Sequence, residues 1–262
     1  MKRQSVVLVV IMGLLSLALA GFAAPQKPAS PLRAAPAQAD SPGMVDTARP
    51  VTEIIGEKSA YLATVSPDGQ FIAWGKQSGR GNDRVLQLCL FQFETAAKQC
   101  ADLSPDDFDG YPYQFQWSPD SRYIAFSENP VEMASESDIW LFDSQEGTFA
   151  NLTDDGLYGV WSYLAADGEK VQIDYLPMWN AADGLIYFWR VVPLGNQRFT
   201  IGIYRVAPDG GDAELVRDLT TDFAASIPLY DYERLFLDGI SAISPDGSTI
   251  AMLMTNISEL GA

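Results

Sequence analysis

The 262-residue sequence contains no histidine, which excludes the commonest hydrolytic machinery. Without an imidazole, neither a Ser-His-Asp triad nor a Cys-His pair can form, and metal sites built on His ligands are excluded as well. The sequence also lacks a Gly-x-Ser-x-Gly nucleophile turn and a Gly-rich phosphate loop. Pairs of Asp or Glu side chains can hydrolyse glycosides, but only at a defined separation that a sequence does not reveal. We therefore expect a protein that is not an enzyme.

Positive charge is scarce too. Lys and Arg total 17 against 34 Asp and Glu, a formal net charge of -17. Beyond position 50 the sequence has 12 basic and 32 acidic residues, so the part after it carries -20. A phosphate backbone would repel such a chain, and we expect no nucleic-acid partner. The charge instead favours a basic protein or peptide partner, or bound divalent ions.

The N-terminus has the pattern of a targeting segment. Lys2 and Arg3 precede the apolar run from Val6 to Ala20, and small residues end that run, which predicts a secretory signal within residues 1–24. If it is not cleaved, the segment would be an N-terminal anchor and the protein's contact with a membrane. Either outcome predicts an extracytoplasmic protein that is periplasmic, secreted or at the cell surface.

Residues 25–50 are rich in Pro, Ala, Ser and Gln and poor in large apolar side chains. Such a composition cannot bury a core, so it indicates a flexible or polyproline-like linker. The folded part is expected to occupy residues 51–262.

An internal repeat runs through that part. The segment TVSPDGQFIAW from Thr64 to Trp74 recurs from Gln116 to Phe126 and from Ala242 to Met252, and with one inserted residue from Met178 to Phe188. A Pro-Asp-Gly turn between β-branched and aromatic residues is typical of a hairpin. A second hairpin pattern follows each of the first three copies. Four strands per repeat indicate the blade of a β-propeller.

The second copy is the most complete. Its residues resemble the TolB-type, WD-like β-propeller repeat in order and spacing, through WSPD at 117–120, IAF at 124–126, DIW at 138–140, Asp143 and NLT at 151–153. The resemblance implies an all-β fold of four-stranded antiparallel blades, at about 60–103, 113–153 and 173–220, with a partial blade at 238–255. The copy from Met178 to Phe188, third in chain order, lacks the Ser-Pro pair, so its turn at 180–184 is expected to differ.

About three and a half blades are visible, whereas members of this family usually close with six or seven. Three interpretations remain open: a truncated propeller, an open array completed by another chain, and a four-bladed ring closed irregularly. The segment from Val51 to Glu57 is a candidate outer strand for the last blade. An open blade edge would also allow self-association.

The links between blades form the candidate binding surface, because they are long and combine acids with aromatics. Such a mixture suits a partly basic protein or peptide, although the same aromatics would also serve to pack the links onto the blades. The candidate partner-binding residues are Asp106, Asp107, Phe108, Asp109, Tyr111, Asp154, Asp155, Tyr158, Trp161, Tyr163, Tyr230, Asp231 and Tyr232. Asp106, Asp107 and Asp109 are also a weak calcium candidate, but the calcium-loop consensus is absent, and we expect no cofactor.

The two cysteines, Cys89 and Cys100, flank a predicted turn at 94–97. A hairpin would bring them together, and in an oxidising compartment a disulfide is expected. A register slip of one residue would instead leave two free thiols.

The functional hypothesis is an exported, non-catalytic propeller that docks a protein or peptide on its acidic, aromatic links. The alternative is a truncated propeller domain of an exported peptidase or glycan-active enzyme. A third interpretation is a structural envelope protein without a discrete site.

Overall fold

A computed structural model describes residues 54–57, 60–79, 85–103, 112–128, 136–157, 171–195, 198–222, 235–236, 241–252 and 255–256. Regular structure in these ranges is almost entirely β-strand. Among these residues, no helix has the length and apolar character needed to cross a membrane.

Three sheets have four antiparallel strands each, joined in sequence order. The first contains β1 (Ala60–Val65), β2 (Phe71–Ser78), β3 (Val85–Gln92) and β4 (Ala97–Leu103). The second contains β5 (Pro112–Trp117), β6 (Tyr123–Glu128), β7 (Ile139–Asp143) and β8 (Thr148–Asn151). The third contains β9 (Ile173–Trp179), β10 (Ile186–Gly195), β11 (Arg198–Val206) and β12 (Glu214–Asp218).

A fourth set of shorter strands follows. It consists of β13 (Leu235–Phe236), β14 (Ser241–Ile243), β15 (Ile250–Met252) and β16 (Thr255–Asn256), in which β14 pairs with β15 and β13 with β16. The first strands of successive sheets lie next to one another, β1 against β5, β5 against β9 and β9 against β14. Consecutive four-stranded sheets whose first strands lie side by side around a common axis form the architecture of a β-propeller. The predicted fold class is therefore confirmed.

The core lies between the sheets. Leu88 and Leu90 of the first sheet pack with Phe126 of the second, and Leu141 of the second packs with Phe188 of the third. Because neighbouring residues of a strand point to opposite faces, each middle sheet is buried on both sides. A third cluster joins the third sheet to the β14–β15 hairpin and includes Trp189 and Ile250.

The hairpin turns use the polar residues of the repeat. The Ser66 hydroxyl donates to Asp68 Oδ1 at 2.6 Å, and Gly69 takes a left-handed φ of 71°. The corresponding Ser and Asp make the same contact in the second sheet and in the turn between β14 and β15. In the third sheet the Gly184 amide donates to the Asn180 carbonyl, which gives a turn one residue longer than the others, in line with the inserted residue of that copy.

Residues 54–57 differ from the strand that the sequence predicts, because 54–55 are helical. Ile55 packs on Ile72, Trp74 and Cys89, on the face of the first sheet that points away from the second. Glu57 binds the ammonium groups of Lys76 and Lys98. The segment therefore caps an apolar sheet face instead of extending a sheet, since Ile55 covers the apolar residues and Glu57 binds the two lysines beside them.

The first strands of the three four-stranded sheets share a bulge that the sequence does not predict. Leu62, Gln114 and Leu176 have φ values of 53°, 52° and 56°, each four residues before the Ser or Asn of the turn. The pairing register with the second strand shifts at each of these positions. A left-handed non-Gly residue at a bulge bends the strand and redirects its side chains.

Candidate functional site

We call the end of the sheets that carries the links between consecutive blades the link end. Around the junction of the second and third sheets it comprises Glu128, residues 136–138, residues 151–157 and residues 171–174. Two predicted partner-binding residues, Asp154 and Asp155, lie in this region. The others fall outside the described residues: Asp106, Asp107, Phe108, Asp109, Tyr111, Tyr158, Trp161, Tyr163, Tyr230, Asp231 and Tyr232.

Asp138 is held at the start of β7 by two partners from the end of β8. Asn151 Nδ2 donates to its Oδ2 at 2.7 Å, and the Thr153 hydroxyl donates to its Oδ1 at 3.0 Å. Thr153 Oγ1 also accepts the Ile139 amide at 2.9 Å. The Asp and the Asn-Leu-Thr of the repeat therefore fasten the third strand to the fourth. Burial raises the pKa of Asp138 to about 6, against the lowering from Asn151.

Glu128 is the second buried carboxyl, at the end of β6. Its Oε2 accepts the Asp138 amide at 2.7 Å, and its Oε1 accepts the Trp140 indole N–H at 2.8 Å. Burial raises its pKa to about 8, and the nearby Asp138 charge adds to the shift. Glu128 is consequently mostly neutral at pH 7, because the uncharged form tolerates removal from water. Glu128 is not among the site residues that the sequence predicts.

Asp174 is the third and is fully buried. Arg190 Nε donates to its Oδ1 at 2.7 Å, and Arg190 Nη2 donates to its Oδ2 at 2.6 Å. The guanidinium carbon lies 4.8 Å from the ring centroid of Tyr204. Burial raises the pKa of Asp174, and Arg190 opposes that shift. This pair too was missed, although an Asp on one apolar strand and an Arg on the next is a signal that could have revealed it.

Backbone contacts tie the second sheet to the third at the same place. The Asp174 amide donates to the Ser137 carbonyl at 2.7 Å, and the Ser137 hydroxyl donates to the Asp174 carbonyl at 2.7 Å. Ser137 and Ile173 form an isolated parallel bridge. The carboxyl groups of Asp138 and Asp174 are thus held in a rigid junction between two sheets.

Asp154 and Asp155 continue the chain from this junction. Asp154 Oδ1 accepts the Gly156 amide at 2.8 Å, and Asp155 Oδ1 accepts the Leu157 amide at 2.9 Å. Asp154 is exposed, whereas Asp155 is half-buried and its pKa is raised by burial. Both side chains shape the start of the link, and Asp154 keeps negative charge at the surface.

The junction therefore combines six carboxyl groups, those described above and that of the buried Glu136, with the guanidinium of Arg190, which Asp174 already binds. Within the described part of the chain, no group of three or more Asp, Glu or Cys side chains has the arrangement of a metal site. The weak calcium candidate lies outside the described residues. Exposed carboxyl groups above buried ones attract cations mainly through their negative charge and not through coordination.

The two cysteines lie opposite each other on β3 and β4 and form a disulfide, with their Cα atoms 4.0 Å apart. Cys89 is buried and Cys100 is exposed. The bond fastens the two outer strands of the first sheet.

No protein-family model matches the sequence, and no curated protein matches it. Solved structures with similarity to this chain include those of several enzymes. Acylaminoacyl peptidase from Pyrococcus horikoshii is 9% identical, with a TM-score of 0.37 over 57% of this chain and 23% of that one. Oligogalacturonate lyase from Vibrio parahaemolyticus is 14% identical, with a TM-score of 0.36 over 69% and 41%. Prolyl oligopeptidase B from Galerina marginata is 15% identical, with a TM-score of 0.33 over 62% and 22%. The matches span less than half of each of these proteins.

Proposed function

We propose that the chain is an exported, non-catalytic, TolB-like β-propeller module that docks a positively charged protein or peptide segment on its link end. The observation that carries this proposal is the excess of carboxyl groups at the junction of the second and third sheets. The positively charged side chain that the structure describes at this junction is Arg190, and both of its hydrogen bonds to carboxylate oxygens go to Asp174.

The electrostatics of the junction support a cationic partner. The pKa values of Glu128 and Asp138 are raised by burial first and by neighbouring carboxylates second. A positive group placed nearby would lower the free energy of the ionised forms, so binding would be favoured by charge. The contact surface itself would be Asp154 and the link that follows, where Tyr158, Trp161 and Tyr163 can add aromatic contact area.

Export is supported by the sequence of residues 1–24 and by the Cys89–Cys100 disulfide, since structural disulfides persist in oxidising compartments. Cell fractionation with and without signal-peptidase inhibition tests this part. An extracytoplasmic protein is expected, and a protein found only in the cytoplasm would contradict export.

The docking claim can be tested with a fluorescein-labelled peptide of alternating Arg and Tyr residues and the full chain, by fluorescence anisotropy. The variant D154N/D155N removes two charges but keeps the Oδ1 acceptors that hold the Gly156 and Leu157 amides. We expect about tenfold weaker binding, equal to about 1.4 kcal/mol. A Y158A/W161A/Y232A variant is expected to lose capture of the peptide in a pull-down.

The matched control is D209N/D212N, which removes two exposed charges at the opposite end of the third sheet. Its affinity should stay within about twofold of the parent. Equal weakening by both variants would show that net charge alone governs binding and would reject the link end as the docking surface.

A further inference from the structure

A cavity lies at the end of the propeller opposite the link end. Its volume is about 350 Å³. That is near the lower limit of roughly 300–1,000 Å³ for ligand pockets, which suits one small ring system. Its wall includes Pro67 of the first sheet, Gln116 and Trp117 of the second, Met178 and Trp179 of the third, and Ser241 of β14. The cavity therefore lies where the first strands end and their turns begin.

The wall of the cavity is uncharged, because no Asp, Glu, Lys or Arg residue lines it. Its large side chains are apolar or aromatic, and the indoles of Trp117 and Trp179 are the largest. An apolar ring packed against these side chains would be removed from water, which favours binding. A charged ligand would lose its hydration without meeting an opposite charge. The wall therefore favours a neutral ligand.

One hydrogen-bond donor of this wall is unused. Trp117 is 7% exposed, and its indole N–H is buried without a hydrogen-bond partner in the described part of the chain. Trp179 holds the same repeat position in the third sheet, and its indole N–H donates to the Gln116 carbonyl of the second sheet at 2.9 Å. Trp117 makes no corresponding bond to the first sheet. A buried donor without a partner is costly, so an oxygen supplied by a ligand would be favoured there.

The other polar groups of the wall also suit an acceptor. The Ser241 hydroxyl accepts the Trp189 indole N–H at 3.2 Å, and no group among the described residues accepts the hydroxyl's own proton. The side-chain amide of Gln116 can both donate and accept. The backbone carbonyl of Gln116 already accepts from Trp179. Donors therefore predominate, and they match a ligand that carries an acceptor oxygen.

We propose that this cavity binds a small neutral ring compound whose carbonyl oxygen accepts the Trp117 indole N–H. The ring packs against the indole and proline side chains of the wall. The site differs from the link end in position and in the charge of its ligand, so it stands or falls independently of peptide docking.

The test uses isothermal titration calorimetry on the full chain with two probes, 1-indanone and indane, which differ in a single carbonyl group. We expect 1-indanone to bind at least tenfold more tightly, although indane is the more hydrophobic, because only the ketone supplies an acceptor. Added salt should leave the affinity for the ketone unchanged, since neither the ketone nor the wall is charged. Absence of ketone binding, or equal binding of the two probes, would overturn the proposal.

Two Trp variants locate the donor. Trp117→Phe keeps an aromatic ring but removes the N–H, so the two probes should bind within about twofold of each other. The matched control is Trp74→Phe, which removes another buried indole N–H without a partner, under Ile55 on the far face of the first sheet. It should keep the tenfold preference for the ketone. A preference that survives in Trp117→Phe, or that is lost in both variants, would reject Trp117 as the donor and with it the proposal.

A second measurement needs no variant and decides the matter if Trp117→Phe does not fold. In the nitrogen-15-labelled full chain, one indole N–H proton resonance should move downfield when 1-indanone is added and not when indane is added, because a new hydrogen bond deshields the proton. Indole resonances that respond to neither probe, or equally to both, would overturn the proposal.

Discussion

Arg190 and Asp174 lie directly opposite each other in the register of β10 and β9 and form two parallel hydrogen bonds. The same register position holds Lys76 in the first sheet and Glu128 in the second. The charge at this position is balanced differently in each sheet: Glu57 binds the half-buried Lys76, Glu128 is mostly neutral, and Asp174 binds Arg190. One position of the repeat thus governs much of the electrostatics of the link end.

Replacing Arg190 by Met should leave the Asp174 carboxylate buried without its counter-charge. Loss of one partner of a buried ion pair costs about 3–5 kcal/mol of the free energy of unfolding. The double variant D174N/R190M should recover a substantial part of that loss, because no buried charge remains. Urea unfolding measures both, and a double variant as unstable as the sum of the two single variants would contradict the pairing.

Glu128 should make the protein less stable as pH rises. Its pKa in the folded protein, about 8, lies above the value of 4.5 expected in the unfolded chain. The folded state therefore holds a proton that the unfolded state releases between these values. The favourable contribution is complete below about pH 4.5 and is lost by about pH 8, at up to about 1.4 kcal/mol per pH unit.

Urea unfolding at several pH values between 5 and 8 tests this for the parent and for Glu128→Gln. Gln cannot ionise, so the variant should lack the Glu128 part of the decline, even though it loses one accepted hydrogen bond and is less stable throughout. Identical slopes for parent and variant would mean that Glu128 ionises normally in the folded protein.

Thr153 should be needed for its hydroxyl and not for its shape. Thr153→Val keeps the volume but leaves an oxygen of Asp138 and the Ile139 amide without this partner, which costs about 1–3 kcal/mol. Thr153→Ser keeps the hydroxyl and should cost clearly less. Thermal unfolding compares them, and equal losses would show that packing, not hydrogen bonding, explains the residue.

The disulfide should stabilise the first sheet. Replacing Cys89 and Cys100 together by Ala is expected to lower the free energy of unfolding by about 3 kcal/mol, since a cross-link over a loop of this length restricts the unfolded chain. Denaturant unfolding of the oxidised parent and the double variant checks the value. A change below about 0.5 kcal/mol would contradict a stabilising role.

The sheets could be predicted because their signals are local. Alternating apolar residues and the turn residues of the repeat specify each of these hairpins within about a dozen residues, and Ser66 and Asp68 interact with each other inside one turn. The all-β propeller fold followed from repeating that unit. The segment from Val51 to Glu57 was only a candidate strand, and its described residues 54–57 form a cap instead, because their conformation depends on a sheet face that the segment itself does not encode.

The candidate site was harder to predict, because the burial of its side chains also depends on neighbouring strands and sheets. Acids in links stand out in a sequence, as Asp154 and Asp155 do, whereas Glu128 resembles the polar end of an ordinary strand. Its burial arises from Trp140 and from the neighbouring sheet, which sequence alternation does not specify. The repeat residues Asp138 and Asn151 were recognised as a pattern, but their contact with each other needed the structure.

The most direct test of the docking account is hydrogen–deuterium exchange of the full chain with and without the Arg-Tyr peptide. The account predicts slower exchange at the link end, at the amides of residues 138–139, 152–157 and 173–174, and unchanged exchange at the turns around Asp120 and Asp209. Slower exchange at those turns, with none at the link end, would contradict it.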